Sequence, residues 1–412
     1  MFISSIIQKF ILGYILLFPL LPALTSERIN LAVNLIFLCL GTVYVFILRE
    51  NIKKSLLNPI IILFFSILIF SAFFSHGIAA GLEQAYRWLP FLILFYIVKV
   101  SNEDKKKWLL RILLLSACLV SLYSLRAFFI ISGYISSYLQ QHNINYYFAQ
   151  EFLARKRAFA PFITPNLLAG YLTMVIFIAV GIFLKNKHKT DRLIALSCLT
   201  LSLPVFFLTK SIGGWLSMLS ALCFFLFFNK KINPVRDSSF LNKYKISNGV
   251  NKKVTVSILM AILILTIIFI ARVKEAREIT APLFSLQQRI SYWAQTIEII
   301  KQHPLIGVGA GNLSLKGSLS SHNSYLQIWA ETGIAGLIGW LAIVFIFIKR
   351  SVGVLQYSKR KAFWAGTFCA GLSFLFHNLI DFSFFIPQAA FLWWIVLALA
   401  TASPTPASSD NH

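Results

Sequence analysis

Long apolar runs separated by short polar segments dominate the chain. A run of about 20 apolar residues is long enough for a helix to cross the hydrocarbon layer of a membrane. Twelve runs predict twelve transmembrane helices, over residues 5–24, 29–48, 58–75, 85–100, 108–133, 166–184, 192–208, 212–228, 254–271, 334–348, 362–380 and 386–402. The pattern predicts an all-α polytopic membrane protein, with residues 1–402 as a single integral membrane domain and 403–412 as a disordered tail. The first run also fits a cleaved signal peptide, although the next span follows at once.

The composition supports a membrane protein and explains the charge. Hydrophobic residues make up 58% of the chain and charged residues 13%, against roughly 45–50% and about 25% in soluble proteins. With the N-terminus in the cytoplasm, 25 of the 38 Lys and Arg residues fall on the cytoplasmic side, as expected from the positive-inside rule. The net charge of +24 is therefore mostly a topology signal, and no nucleic-acid partner is predicted.

Two longer segments, 134–165 and 272–333, fall on the outer side, and a polar loop at 229–253 falls on the inner side. Within the second outer segment, apolar residues recur at helical spacing over 287–303, which predicts an amphipathic helix lying on the membrane surface and ended by Pro304. Gly307, Gly309 and Gly311 follow. Such glycines permit a tight turn and close backbone approach, but they equally fit a flexible connector.

His322 is the strongest candidate for chemistry. A neutral imidazole can accept a proton near neutral pH, so a histidine beside a membrane surface is a candidate general base. Its neighbours Ser320, Ser321 and Asn323 could orient the ring.

Three cations share the outer side with His322, namely Arg157, Arg289 and Lys210. They could bind an anionic donor through phosphate oxygens, or instead contact lipid headgroups. Glu331 and Asp381 lie at the outer ends of spans, as ion-pair partners of these cations or as catalytic groups. The remaining His and acidic residues are dispersed, which predicts a site without a metal or cofactor.

Several short motifs contain the candidate residues. The central one is His322-Asn323, nine residues, Gly333, two residues, Gly336. The supporting motifs are Arg289-x-x-Tyr292-Trp293, the run Pro304 to Asn312, Arg157 with Asn166 and 168–172, and His377-Asn378-Leu379-x-Asp381 with Pro387. Together these motifs resemble those of the O-antigen ligase and polymerase superfamily, over about residues 155 to 400. One departure is Ser211-Ile212-Gly213, where the family commonly has Ser-Arg-Gly, so Lys210 is left as the cation of that turn.

The resemblance implies a glycosyltransferase at the periplasmic face of the bacterial inner membrane, among membrane lipids. Its donor would be a glycan on undecaprenyl pyrophosphate, and a ligase would use a lipid A core sugar as acceptor. His322 would be the base, Arg289, Arg157 and Lys210 would bind the pyrophosphate, and Asn323, Glu331 and Asp381 would support them. A ligase is the favoured interpretation.

The alternatives are an O-antigen polymerase, a protein-glycosylating ligase of the same superfamily, and a transporter or flippase. Transport favours ionisable groups near the middle of the membrane, whereas the candidate groups here cluster at one surface.

Overall fold

The computed structural model describes residues 2–51, 57–73, 77–131, 156–185, 188–231, 284–357 and 361–402. The predicted span 254–271, the tail 403–412, and most of segment 134–165 and loop 229–253 lie outside the described residues.

The described residues form α-helices without a named strand, which confirms the all-α prediction. The helices are α1 Phe2–Leu17, α2 Leu21–Leu24, α3 Glu27–Ile47, α4 Leu57–Phe73, α5 Ile78–Val100, α6 Glu103–Arg126, α7 Pro165–Lys185, α8 Lys189–Leu208, α9 Ile212–Lys231, α10 Phe284–Gln302, α11 Ser324–Tyr357, α12 Lys361–His377 and α13 Pro387–Ala402. Eleven of the twelve predicted spans coincide with these helices.

Within the described part of the chain, five helical stretches are long and apolar enough to cross a membrane. They are Glu27–Ile47, Glu103–Ile130, Pro165–Leu184, Lys189–Leu208 and Ser324–Gln356. Four shorter apolar helices are Ser5–Leu17, Leu57–Phe73, Ile212–Leu226 and Pro387–Thr401. The chain thus has the helices of a multi-pass membrane protein, while the number of twelve crossings stays a prediction.

The largest differences from the predicted starts are found for two helices. Helix α5 begins at Ile78 rather than at residue 85, and α11 begins at Ser324 rather than at residue 334. The reason is that polar residues, which interrupt an apolar run, belong to the first turns of both helices. In α11 the backbone breaks from helical geometry at Gly333, just before the predicted start.

Helices α7 and α12 pack antiparallel through small residues. A Cβ added to Gly366 of α12 would lie 2.8 Å from the Cα of Gly181 near the end of α7. A Cβ on Gly170, near the start of α7, would lie 2.9 Å from Nδ1 of His377 at the end of α12. One on Gly213, at the start of α9, would lie 3.0 Å from the side chain of Ile380. The starts of α7 and α9 and the end of α12 therefore share one end of the helical bundle.

The other end of the bundle carries buried or half-buried basic residues with polar partners. Lys99 of α5 donates to Asn58 of α4 at 2.7 Å, and Arg111 of α6 forms an ion pair with Asp191 of α8 at 2.5 Å. Because Ser71, near the opposite end of α4, contacts Glu331 of α11, α4 runs from this basic end to the end that holds His322.

Aromatic residues fill the core of the bundle beneath the end that holds His322. Trp340 of α11 is fully buried, and its ring centroid lies 4.6 Å from that of Phe384. Trp393 of α13 stacks on Phe374 of α12 at 5.4 Å. The contact between Trp340 and Phe384 holds the turn Ser383–Phe385, which follows Asp381, against α11.

Candidate active site

The glycine-rich segment between α10 and α11 runs back along α11. The N–H of Val308 donates to the carbonyl of Ala330 at 2.9 Å, and the N–H of Gly309 donates to that of Glu331 at 2.9 Å. The N–H of Ile334 donates to Pro304 at 3.0 Å. These bonds satisfy backbone groups that the break at Gly333 releases from the helix. The glycines therefore form an ordered turn rather than a flexible connector.

Gly333 is the residue on which this arrangement depends. Its φ is 67°, in the left-handed region, and an added Cβ would lie 2.6 Å from the backbone nitrogen of Ile306. A left-handed backbone alone costs a residue other than glycine roughly 1–2 kcal/mol.

Gly333→Ala is therefore expected to lower the free energy of unfolding by more than about 1 kcal/mol, measured as a fall in thermal unfolding midpoint in detergent. The matched control is Gly353→Ala on the same helix, where an added Cβ meets nothing within 4 Å. This control should be neutral or stabilising. Equal midpoints for the two variants would contradict the role given to Gly333.

Asn323 and Ser321 fix the backbone on both sides of His322. The Oδ1 of Asn323 accepts from the N–H groups of Tyr325 at 3.0 Å and Leu326 at 3.1 Å, so Asn323 caps the start of α11. The hydroxyl of Ser321 donates to the Asn323 carbonyl at 2.6 Å and accepts from its N–H at 3.1 Å. The sequence led us to expect that these side chains orient the imidazole directly. They instead orient the main chain, which holds His322 in a left-handed conformation with φ 51°.

The imidazole of His322 lies between two aromatic rings. Tyr292 of α10 stacks on it with a centroid distance of 5.7 Å, and Phe382 approaches edge-on at 5.0 Å. Its Nδ1 is buried and has no hydrogen-bond partner among the described residues. Burial lowers the pKa of His322; Asp381 acts to raise it and Arg289 to lower it further. Burial therefore favours the neutral form of the ring, which is the form that can accept a proton.

Arg289 and Asp381 complete this cluster. Nη2 of Arg289 lies 4.0 Å from Oδ2 of Asp381, and the two side chains are 16% and 2% exposed. The other carboxylate oxygen, Oδ1, accepts from the N–H of Phe382 at 2.8 Å. The carbonyl of Asp381 accepts from the N–H of Ser324 at 3.1 Å, which joins the turn after α12 to the start of α11. Asp381 is thus an ion-pair partner, one of the two roles that the sequence left open.

Arg157 and Lys210 lie in a second cluster, at the starts of α7 and α9. Arg157 donates through Nε to the carbonyl of Thr209 at 2.7 Å and through Nη2 to Oδ1 of Asn166 at 3.1 Å. The hydroxyl of Ser211 donates to the same Asn166 oxygen at 2.8 Å. Lys210 has a left-handed backbone, with φ 47°, in the turn that these bonds fix. Ile212, where the family commonly has arginine, is exposed.

Glu331 lies apart from the cations. Its side chain is buried, and its carboxylate accepts from the amide of Gln327 at 2.8 Å and from the N–H of Gly311 at 2.9 Å. No ion pair with a cation is found for Glu331 within the described ranges. The structure therefore gives it neutral partners, which differs from the ion-pair role considered from the sequence.

The structure brings Arg289, His322 and Asp381 together and places Arg157 and Lys210 in a second cluster at the same end of the bundle. Sequence reasoning missed the contacts of Asn166, Gln327 and Ser71. For Asn166 and Gln327 a signal was available, since one lies in the Arg157 motif and the other lies one helical turn before Glu331. The catalytic and binding roles of all these residues stay predictions.

An apolar helical bundle with a polar cluster at one end is typical of a multi-pass membrane protein, and the cluster is a candidate site at the end of its helices. Residues 196–341 match the family model described as O-Antigen ligase, which confirms the resemblance to the O-antigen ligase superfamily. The matched range includes Lys210, Arg289, His322, Asn323 and Glu331. Arg157 and Asp381 lie outside it. A comparison with curated proteins gives no significant match.

Proposed function

We propose that the protein is an O-antigen ligase, which transfers a glycan from undecaprenyl pyrophosphate to a sugar of the lipid A core. The observation that carries this proposal is the half-buried His322 beside the Arg289 and Asp381 pair, with His322 and Arg289 inside the range that matches the family model. A base next to a cation is what transfer from a pyrophosphate donor requires.

In the proposed reaction, His322 accepts the proton of the acceptor hydroxyl as its oxygen attacks the anomeric carbon of the donor. The bond between that carbon and the pyrophosphate oxygen breaks, and its electron pair leaves with the lipid pyrophosphate. Asp381 stabilises the imidazolium that forms. The proton then passes from His322 to the leaving group or to solvent.

Arg289 is the cation proposed to stabilise the departing pyrophosphate. Its separation of 4.0 Å from Asp381 is longer than a direct charge-assisted hydrogen bond, which is about 2.7–2.9 Å. The guanidinium therefore keeps hydrogen-bonding capacity for phosphate oxygens. With Arg157 and Lys210 as further donor-binding groups, we propose that the reaction needs no metal ion or cofactor.

The arrangement of charge supports a periplasmic site in the inner membrane. Lys99, Lys105 and Arg111 lie at the end of the bundle opposite to His322, and basic residues favour the cytoplasmic side. Helix α10 exposes Leu286, Ile290 and Ile297. These side chains fit a helix lying on the membrane surface among lipids, as proposed from the sequence.

The lipopolysaccharide of a strain that lacks the protein tests the proposed acceptor. A gel that shows lipid A core without polymer supports a ligase. Core that carries a single repeat indicates a polymerase, and a wild-type pattern indicates another acceptor, such as a protein.

The pH dependence of transfer provides a test of His322 as the base. Because the pKa of His322 is lowered, the rate should stay constant as pH falls from 7 and should decline only below the usual histidine value of about 6.5. Asp381 acts to raise this pKa, so Asp381→Asn should move the half-maximal point to still lower pH. A midpoint above 6.5, or a shift to higher pH in Asp381→Asn, would contradict the assignment.

A further inference from the structure

A buried chain of hydrogen bonds connects the glycine turn to the residue before His322. It begins at the N–H of Gly311, which donates to Oε2 of Glu331 at 2.9 Å, and continues from Nε2 of Gln327 to Oε1 of Glu331 at 2.8 Å. It ends where Oε1 of Gln327 accepts from the N–H of Ser321 at 3.3 Å. Gln327 and Glu331 are 5% and 1% exposed. Water has little access to replace a lost partner.

The groups at the two ends of this hydrogen-bond chain determine which side chains can form it. Both ends are main-chain N–H donors, so the side chains between them must offer an acceptor at each end. A carboxylate, which only accepts, and an amide, which donates and accepts, satisfy all three bonds in one arrangement. Two amides cannot, because either their two NH2 donors would face each other or one amide would point a donor at a main-chain N–H.

The hydrogen-bond chain is also anchored to α4 at Glu331. The carbonyl of Glu331 accepts from the hydroxyl of Ser71 in α4 at 2.8 Å, and the same hydroxyl accepts from the N–H of Ala310 at 3.0 Å. Gln327 and Glu331 are one turn apart on α11, where positions i and i+4 are neighbours. The helix, the glycine turn and α4 are therefore joined at Glu331, on one side of the histidine loop.

We propose that Glu331 and Gln327 are positioning residues for the base, and that they act through the N–H of Ser321 to hold the left-handed backbone of His322. Ser321 in turn bonds the N–H and carbonyl of Asn323, so the main chain is fixed both before and after His322. This inference rests on the proposed function, because it assigns what holds His322 in place.

Glu331→Gln tests the order of donors and acceptors along the hydrogen-bond chain, with almost no change in side-chain volume. Misplacement of a catalytic group by about 1 Å can cost around 100-fold in rate. We therefore expect kcat to fall by about 10- to 100-fold with an unchanged KM for the donor, since Glu331 and Gln327 are buried and are not among the groups proposed to bind it. The matched control is Glu298→Gln, an exposed residue of α10 that pairs with Lys301, and it should leave kcat unchanged.

The decisive variant is the double exchange Gln327→Glu with Glu331→Gln. It restores an acceptor at each end and a donor between the two side chains, with the same net charge. We expect kcat within about threefold of wild type. A double variant as slow as Glu331→Gln, or a Glu331→Gln variant with wild-type kcat, would overturn the inference. If Glu331→Gln does not fold, the double variant decides alone, because recovery to near wild-type kcat requires the restored polarity.

The failure of this inference can be told apart from failure of the proposed function. Normal transfer by Glu331→Gln together with an inactive His322 variant would remove only the positioning role. Normal transfer by the His322 variants would remove the proposed function itself.

Discussion

Replacement of His322 by alanine is expected to lower glycan transfer by about 100- to 10,000-fold, the usual contribution of a general base. Burial lowers the pKa of the imidazole, which lies between Tyr292 and Phe382, beside the Arg289 and Asp381 pair. A second imidazole, that of His377, also lies within electrostatic range of Asp381 and Arg289, but it differs from His322 in its surroundings. His377, at the end of α12, is fully buried and its Nδ1 is bonded to Ser383.

A second substitution separates the chemistry of His322 from its backbone. Asparagine tolerates the left-handed conformation better than alanine does, so His322→Asn should fold normally and yet be as inactive as His322→Ala. His303→Ala is the matched control, because His303 is exposed at the end of α10, on the same segment. Transfer at the normal rate by His322→Asn would exclude His322 as the base.

Arg289→Ala is expected to give the second largest effect, a loss of about 100- to 1,000-fold in kcat, comparable to the removal of one hydrogen-bond donor from a charged transition state. Arg289→Lys should recover only part of the rate, because lysine lacks the two parallel donors of a guanidinium. Initial rates at saturating donor measure the effect on the chemical step.

Arg28→Ala is the control for a general loss of outer positive charge. Arg28 is exposed at the start of α3, which runs parallel to α5 and so begins at the same end of the bundle as the site. The Arg28→Ala variant should transfer glycan at the normal rate. An equal loss in both variants would mean that positive charge near the surface, rather than a placed guanidinium, explains the effect of Arg289.

The helices were predictable from the sequence because each depends on local apolar content. The first residues of the helices were less predictable. Helix α11, for example, begins with polar residues such as Gln327 and Glu331, whose hydrogen bonds reach Gly311 and Ser321 outside the helix. A run of apolar letters cannot show that a polar residue is buried and satisfied. The helix break at Gly333 likewise depends on the returning segment at Pro304.

The motifs pointed to residues that the fold brings together, but not to the contacts between them. His322, Arg289 and Asp381 were identified from motifs, yet their meeting depends on how α10, α11 and the turn after α12 pack. The motif neighbour Asn323 illustrates the limit: the sequence shows a polar residue beside the histidine, and only the fold shows that it caps a helix. In the turn after α8, the exposed Ile212 beside Lys210 explains how a family arginine can be absent without disturbing the packing.

The most direct test is transfer by the purified protein in detergent or lipid, from an undecaprenyl-pyrophosphate-linked glycan, with and without lipid A core. We expect a core-linked product only when core is present, and none with His322→Asn. Polymer formed without core would indicate a polymerase. No transfer by the wild-type protein under either condition, or equal transfer by wild type and His322→Asn, would contradict a histidine-dependent ligase.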